Sequence, residues 1–512
     1  MPASRSPSRS YASTALVVLG IAAGACTPAT RRTPDDTLVV AIESAMSSYD
    51  PRYAISNWDG KLSKLVCPGL MSVDTASTEP RLELASKVTP IDPLTWEVEL
   101  RPDARFPDGS TLTAADVAYT YMSTIAPDSD SLYKKGFTER FSRVEAVSPR
   151  LVRFHLKQPL ATFLTDIDFG IISQSGQGAG PYRVRELTTT HVVLDANPAY
   201  FGAAPKVPRV EIKFVRDASA RLLMLVGGSA DLIQNGVRLD LLDDVRDRPR
   251  VHLETGPSVF LTYLMMNNAD PLLSDVRVRQ AIALAIDRPA IVAAKFAGRA
   301  TLATGLLPPG HWAYAADVAR WDRDLPRARQ LLDEAGYPDP DGAGPRPRMK
   351  LVYKTSSDAF RVSVARVIAA QLAEIGLEVE VRPFEFATFF SDVKKGTYQI
   401  ASMQTSEITE PDYYYMYFNS SRIPSKTDPD AGNRWRYVNP EVDRLTVEGR
   451  KELDRDKRRV LYAEVQRQVA RDVPVVPLWH EDNVVLTNVD VQGYAISPIA
   501  RLGGLTQVTK RP

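Results

Sequence analysis

Met349-Lys350-Leu351-Val352-Tyr353-Lys354, then Phe360 to Ile375, then Leu377-Glu378-Val379-Glu380-Val381-Arg382 is the succession on which the fold class turns. Val364, Ile368, Leu372 and Ile375 share one helical face, and Gly376 suits the cap that ends a helix. Leu377, Val379 and Val381 then alternate with charged residues, as a half-buried strand requires. Strand, helix and strand in that order make a parallel crossover unit, so the predicted class is α/β.

The elements around this unit agree with that class. A helix is expected over Ser274 to Ala285, with Val278, Ala281, Ile282 and Ala285 inward, and another from Arg327 to Ala335, begun by Pro326 and ended by Gly336. The first half alternates instead. Trp96, Val98 and Leu100 form one buried row, Val152, Phe154 and Leu156 a second, and Val210, Ile212 and Phe214 a third. His155 falls on a wet face and receives no role. Thr113 and Asp116 have capping-box spacing after the turn Pro107-Asp108-Gly109, while Pro338 to Pro347 reads as a surface connection. A chain of 512 residues exceeds what one core serves, so two or three compact bodies are expected, assembled from more than one segment.

Composition removes several function classes. The 63 basic and 62 acidic residues leave a net charge of +1, too little to attract nucleic acid by a global field. No apolar run reaches the roughly 18 residues of a membrane-spanning helix. Two cysteines cannot build a disulfide scaffold, and five scattered histidines suggest no metal site. The N-terminus is more informative. Arg5 and Arg9 precede the short apolar run Ala15 to Ala23, which reads as a secretory signal over residues 1–25. Ala23-Gly24-Ala25-Cys26 resembles a bacterial lipobox, which makes Cys26 the expected lipidation site and residues 26–36 a tether; ordinary cleavage beside an incidental cysteine is the other reading. Cys67, between Val66 and Pro68, reads as a small buried apolar residue.

Catalytic motifs are missing. There is no phosphate loop, no G-x-S-x-G elbow and no zinc helix, and His480-Glu481 lacks a second histidine. Gly176-Gln177-Gly178-Ala179-Gly180 is glycine-dense, but Pro181 blocks the helix that would hold a phosphate, so a tight, hinge-like crossing is expected. The stretch Glu407-Ile408-Thr409-Glu410-Pro411-Asp412-Tyr413-Tyr414-Tyr415-Met416-Tyr417-Phe418 places three acids before five aromatics. Such a set suits a concave site for an organic cation; it also suits a core edge preceded by solvated acids, and composition alone favours the latter.

Several separated segments together resemble the extracytoplasmic solute-binding proteins of ATP-driven importers, in the family that carries peptides, nickel and related solutes. These are Trp96 to Arg101 with Phe106-Pro107-Asp108-Gly109 and Leu112 to Val117; Gly178-Ala179-Gly180-Pro181-Tyr182 with Asn197-Pro198-Ala199-Tyr200; Met266-Asn267-Asn268 with Asp275 to Ile282; Leu331 to Gly336; and Asp472 to Leu478. Their order along the chain is the family's order.

The resemblance implies a two-lobed periplasmic-binding-protein fold of type II, cluster C-like, with a small inserted domain and a solute held between lobes that close over it. Residues 37–52, 176–266 and 480–512 would form lobe I, 53–175 the insert and 267–479 lobe II. It further implies that the acid four positions before the proline of an acid-proline pair holds a peptide's ammonium. Here that acid is Glu407, before Glu410-Pro411, with glutamate in place of the more usual aspartate. Tyr413, Tyr414 and Tyr417 follow as cleft lining, with Asn433 and Trp435 expected on the same cleft. The implied protein is a monomeric, periplasmic or cell-surface lipoprotein without cofactor, metal or catalytic residue. Its partners would be a short peptide or similar cationic solute and the transmembrane subunits of an ABC permease. Capture of a nickel chelate or an oligosaccharide is an alternative, and a secreted hydrolase is the rival from another class. Cys26→Ser is expected to move the protein from the membrane to the soluble fraction on fractionation; retention in the membrane would remove the anchor.

Overall fold

The structure, a computed structural model, describes residues 33–511 apart from 238–240, 343 and 406. The signal segment, Cys26 and most of the tether lie outside the described residues.

Among the described residues two large sheets and a four-stranded one organise the chain, with two short two-stranded pairs beside them. The first has seven strands, in the order Val251–Gly256, Asn483–Asn488, Leu232–Gln234, Thr37–Ile42, Arg209–Phe214, His191–Ala196 and Tyr182–Leu187. Thr37–Ile42 is buried along its whole length, as a strand covered on both faces must be, and runs parallel to Arg209–Phe214. The second has six strands, in the order Ala300–Leu302, Val475–Glu481, Leu261–Met266, Ile400–Thr405, Met349–Ser356 and Leu377–Phe384. The predicted crossover unit lies here. Met349–Ser356 pairs in parallel with Leu377–Phe384, and the helix Ala359–Ala373 between them buries Val364, Ile368 and Leu372. The helix Leu325–Glu334 includes Pro326 in its first turn instead of starting after it, because proline lacks only an N–H that the first turn leaves unpaired anyway.

The third sheet is antiparallel, in the order Ala85–Asp92, Thr95–Leu100, Leu151–Leu156 and Phe141–Ser148. Trp96, Val98, Val152, Phe154 and Leu156 all enter its core, where Trp96 stacks on Phe163 at 4.6 Å. The helix Ala114–Thr124 covers this core, and Asp116 accepts hydrogen bonds from the Thr113 backbone N–H and hydroxyl, both at 2.8 Å.

The chain passes twice between the large sheets, at 257–260 and at Asp482. The two passages are tied together where the Glu481 N–H donates to the Phe260 carbonyl at 3.1 Å, and the first is also held to the C-terminal segment, the Val259 N–H donating to the Pro498 carbonyl at 3.1 Å. Two differences from the sequence reading concern where segments pack. Leu261–Met266, placed with the first lobe, pairs in the second sheet, as do His480 and Glu481. The helix Asn57–Val66, inside the segment read as the insert, buries Trp58, Leu62, Leu65 and Val66 in the core of the first sheet.

The glycine-dense stretch is clamped onto that helix. A Cβ on Gly178 would stand 2.2 Å from the Val66 carbonyl oxygen and one on Gly180 2.3 Å from that of Leu65, so only glycine allows the approach. Gly180 N–H donates to Val66 at 2.8 Å, which makes this a fixed crossing and not a mobile one. Cys67 beneath it is fully buried, and burial pushes its thiol well above the ordinary range.

Beside this crossing, Asp168 joins three segments. Its carboxylate accepts from Arg501 at 2.7 and 3.2 Å and from Lys64 at 3.0 Å, all three being largely buried. Burial alone would raise the Asp168 carboxyl, but the two cations outweigh it and hold it below its ordinary range. A carboxyl depressed in the fold stabilises it above the unfolded value of about pH 4, and that contribution is lost as acid protonates it. Asp168→Asn should lose about 3 kcal/mol or more in urea unfolding at neutral pH, because Arg501 is left buried without its anion. The same variant should lose less stability on acidification than the parent protein.

Candidate functional site

A cleft of about 420 Å³ lies where the chain passes between the two large sheets. Trp58 and Lys61 of the helix Asn57–Val66 form one wall with Glu43, which follows the strand Thr37–Ile42. Phe296, Gln404 and Glu481 stand on the other wall, and Phe260 and Asp482 of the two passages line it between them. Away from these passages the second body meets the third sheet's domain directly. The Thr165 hydroxyl donates to Glu410 at 2.9 Å, the Ala161 N–H to the Arg450 carbonyl at 2.9 Å, and Lys135 pairs with Asp428 at 3.0 Å. The bodies are therefore closed on each other around the cleft.

Charges on the cleft are mostly answered within the protein. Glu481 accepts from the Thr262 hydroxyl at 2.7 Å and from Arg361 at 3.3 Å. Burial raises the Asp482 carboxyl, and Arg299 opposes that rise. Glu43 accepts from the Trp58 indole N–H at 2.8 Å through one oxygen, while its other oxygen is buried without a hydrogen bond. Lys61 is only 5% exposed, and its ammonium stands 4.3 Å from the centre of the Trp58 ring. Burial lowers the Lys61 pKa, and Glu407 followed by Glu43 pulls it back up.

The three acids of the aromatic stretch divide. Glu410 pairs with Arg458, and Asp412 lies 3.1 Å from Arg450 and accepts from the Tyr462 hydroxyl at 3.1 Å. Burial pushes both carboxyls up, Asp412 to about 6, against the pull of these arginines. Glu407 is different. It follows the strand Ile400–Thr405 in a left-handed backbone conformation with φ +52°, is half-buried, and makes no hydrogen bond or ion pair to any described residue. Lys61, Arg501, Tyr133 and Tyr413 all feel its charge, so it faces the first body across the interface. It does not line the 420 Å³ cleft, whereas Lys61, on which its charge acts, does.

The remaining residues expected on the cleft separate into two groups. Tyr413 and Tyr417 are half-buried and stacked at 5.8 Å, with the Tyr417 hydroxyl 3.3 Å from that of Thr405. Tyr414 is core: it is 1% exposed, stacks on Phe418 at 5.4 Å, and its hydroxyl accepts from the Leu306 N–H at 3.1 Å. Asn433 is fully buried, and its amide ties three carbonyls, those of Phe418, Asn419 and Tyr437. Trp435 is wedged among Tyr263, Tyr417 and Phe418. These last three residues thus belong to the aromatic core of the second body and not to the 420 Å³ cleft.

Sequence reasoning missed Trp58, Lys61 and Glu43. One signal existed: Trp58, Lys61, Leu62 and Leu65 have the i, i+3, i+4, i+7 spacing of a buried helical stripe, and a lysine interrupts it. Among the described residues no group of three or more histidine, cysteine, aspartate or glutamate residues is placed to hold a metal ion, and no helix is long and apolar enough to cross a membrane.

Comparison with known proteins supplies the context. Residues 79–425 match the family described as bacterial extracellular solute-binding proteins, family 5 Middle. A probable di/tripeptide-binding protein of Pseudomonas aeruginosa is 28% identical over 437 residues, covering 79% of this chain and 81% of the relative. Two solved structures share the fold. The oligopeptide-binding protein AppA of Bacillus subtilis, in complex with a nonapeptide, is 23% identical with a TM-score of 0.75, covering 93% of this chain and 99% of its own. NikZ of Campylobacter jejuni, in complex with Ni(L-His), is 23% identical with a TM-score of 0.78, covering 93% and 100%.

Proposed function

Since the chain belongs to the bacterial extracellular solute-binding proteins of family 5, we propose that it captures a short peptide, or a similar cationic solute, between its two large bodies and delivers it unchanged to the transmembrane subunits of an ABC importer. Residues on the first and second sheets supply the two walls, and the passages at 257–260 and Asp482 supply the hinge. Cys26 carries the lipid that keeps this monomer at a membrane surface. No bond is made or broken in the solute.

The observation that carries this reading is Glu407. Of the three acids that precede the aromatic packet, two are answered by arginines of their own body and Glu407 is answered by none. A half-buried carboxylate facing the opposite body is suited to an ammonium brought by the solute, and the stacked pair Tyr413 and Tyr417 beside it offers π-faces to the same cation. Extended peptide backbone can be held by main-chain hydrogen bonds from strand edges, leaving side chains to occupy pockets without strict selection. The relative described as a di/tripeptide-binding protein favours peptide over chelate or saccharide.

Removing one partner of a buried charged contact weakens binding by about 2 to 5 kcal/mol. Glu407→Gln should therefore weaken binding of free-amine dipeptides at least tenfold in titration calorimetry, while N-acetylated dipeptides, already lacking the ammonium, should bind the parent protein and the variant alike. Equal affinity of both proteins for the free-amine forms would remove the ammonium role.

A further inference from the structure

A pocket of about 490 Å³ lies on the second body, apart from the cleft between the sheets. The last turns of the helix Phe386–Lys395, the loop 424–429 and Arg436 bound it, and it shares no residue with the 420 Å³ cleft. Four cations line it, Lys394, Lys395, Lys426 and Arg436, together with Ser391 and Ser425; among the described residues no carboxylate does. In a chain of net charge +1 this is a local excess of one sign, and like charges gathered at one place repel.

The acids nearby are already engaged. Asp430 holds Lys394 at 2.9 Å, Asp392 holds Lys354 at 2.7 Å, and Asp428 is shared between Lys135 at 3.0 Å and Arg422 at 3.1 Å. Lys395, Lys426 and Arg436 make no ion pair with any described residue. Lys394 holds the Asp430 carboxyl below its ordinary range, and Arg434 and Lys135 add to the pull, as a positive field across this loop requires. The C-terminus of a helix carries about half a negative charge, which one cation answers. Arg436 supplies it, donating to the Lys394 carbonyl at 3.3 Å. Lys395 and Lys426 exceed that need.

Arg436 is also held in place. Its backbone is left-handed, with φ +56°, a conformation that a bulky side chain adopts against strain. Its guanidinium lies over Gly396, where a Cβ would come within 2.2 Å of Cζ. It donates to the Arg434 and Lys394 carbonyls at 3.2 and 3.3 Å, and a flat fork of five N–H groups has donors beyond these two bonds. The turn that presents Lys426 is fixed as well. The Ser425 N–H donates to the Asp428 carbonyl and the Asp428 N–H to the Ser425 hydroxyl, both at 3.1 Å. A positioned fork beside ammonium groups suits a tetrahedral oxyanion, which takes paired N–H bonds from the fork and draws the ammonium groups as point charges. Cations in excess favour the nearly double charge of a phosphomonoester over the single charge of a carboxylate.

We propose that this pocket binds a phosphate group, separately from the solute cleft, with Arg436 as the fixed fork and Lys395 and Lys426 as the charges that complete the site. The phosphate is either free in solution, as inorganic phosphate or a small phosphomonoester, or the head group of an anionic lipid. The chemistry recognised is the same.

The test uses the purified full chain at low salt and two variants, Lys395→Gln/Lys426→Gln and Arg436→Lys, each compared with the parent by thermal melting. Titration calorimetry with inorganic phosphate, glycerol 3-phosphate and acetate reads the free source. Co-sedimentation with phosphatidic acid and phosphatidylcholine vesicles reads the lipid source, any anchor acting on both vesicles alike. Expected is binding in at least one arm, with phosphate preferred over acetate or phosphatidic acid over phosphatidylcholine. The double variant should bind about tenfold more weakly, and Arg436→Lys, which keeps the charge and loses the fork, should also weaken binding. Any dipeptide affinity of the double variant should stay unchanged, since neither lysine lines the cleft. Binding in solution assigns the free source, and binding to phosphatidic acid alone assigns the lipid. The inference is overturned if neither arm shows binding, if acetate or phosphatidylcholine is bound equally well, or if both variants bind like the parent. Loss of dipeptide affinity in step with phosphate would also overturn it, by making the pocket part of the cleft.

Discussion

Among the described residues the backbone passes between the two large sheets at 257–260 and at Asp482, and these passages are hydrogen-bonded to each other through the Phe260 carbonyl and the Glu481 N–H. Elsewhere the second body meets the third sheet's domain through side-chain and loop contacts, among them Thr165 on Glu410, Ala161 on the Arg450 carbonyl and Lys135 on Asp428. Such contacts are worth little individually and can be exchanged, whereas each sheet has its own buried core. Each large sheet thus carries its own core, and the 420 Å³ cleft lies where the two backbone passages cross between them.

Where the closed bodies meet, electrostatics is local. A chain with a net charge of +1 exerts no long-range pull, and neither Lys61 nor Glu407 makes a hydrogen bond to a described residue, although Glu407 acts on Lys61 through space. Most other buried charges are matched at close range, as Asp168 is by Arg501 and Lys64, and Glu410 by Arg458. Buried ions left without close partners are unfavourable, so Lys61, 5% exposed and beside the Trp58 ring, stands out among the buried charges. The membership of the chain in a family of solute-binding proteins agrees with that arrangement.

Much of this was legible in the sequence where one dimension suffices. The period-two rows through Trp96, Phe154 and Ile212 and the helical face through Ile368 gave strands and a crossover helix, because periodicity depends only on neighbours along the chain. The strand Leu261–Met266 was placed on the wrong side of the seam, since nothing in an apolar run says which sheet it will join. Among the aromatic residues, sequence could not distinguish Tyr413, which borders Glu407, from Tyr414, which turns inward to the Leu306 N–H. One residue of helical rotation decides it. Asn433 looked like a polar cleft residue, but its amide is fully used by three carbonyls of its own body. Lys61 lay in a segment whose packing was invisible until the helix was seen against the first sheet, although its place in an apolar stripe was a readable anomaly.

The claim that two rigid bodies clamp a small guest and release it intact is tested most directly by small-angle scattering from solute-free protein, before and after addition of a saturating free-amine dipeptide. The account predicts a smaller radius of gyration on addition, with the dipeptide recovered chemically unchanged. Identical scattering curves in the two states, or recovery of cleaved dipeptide, would contradict it.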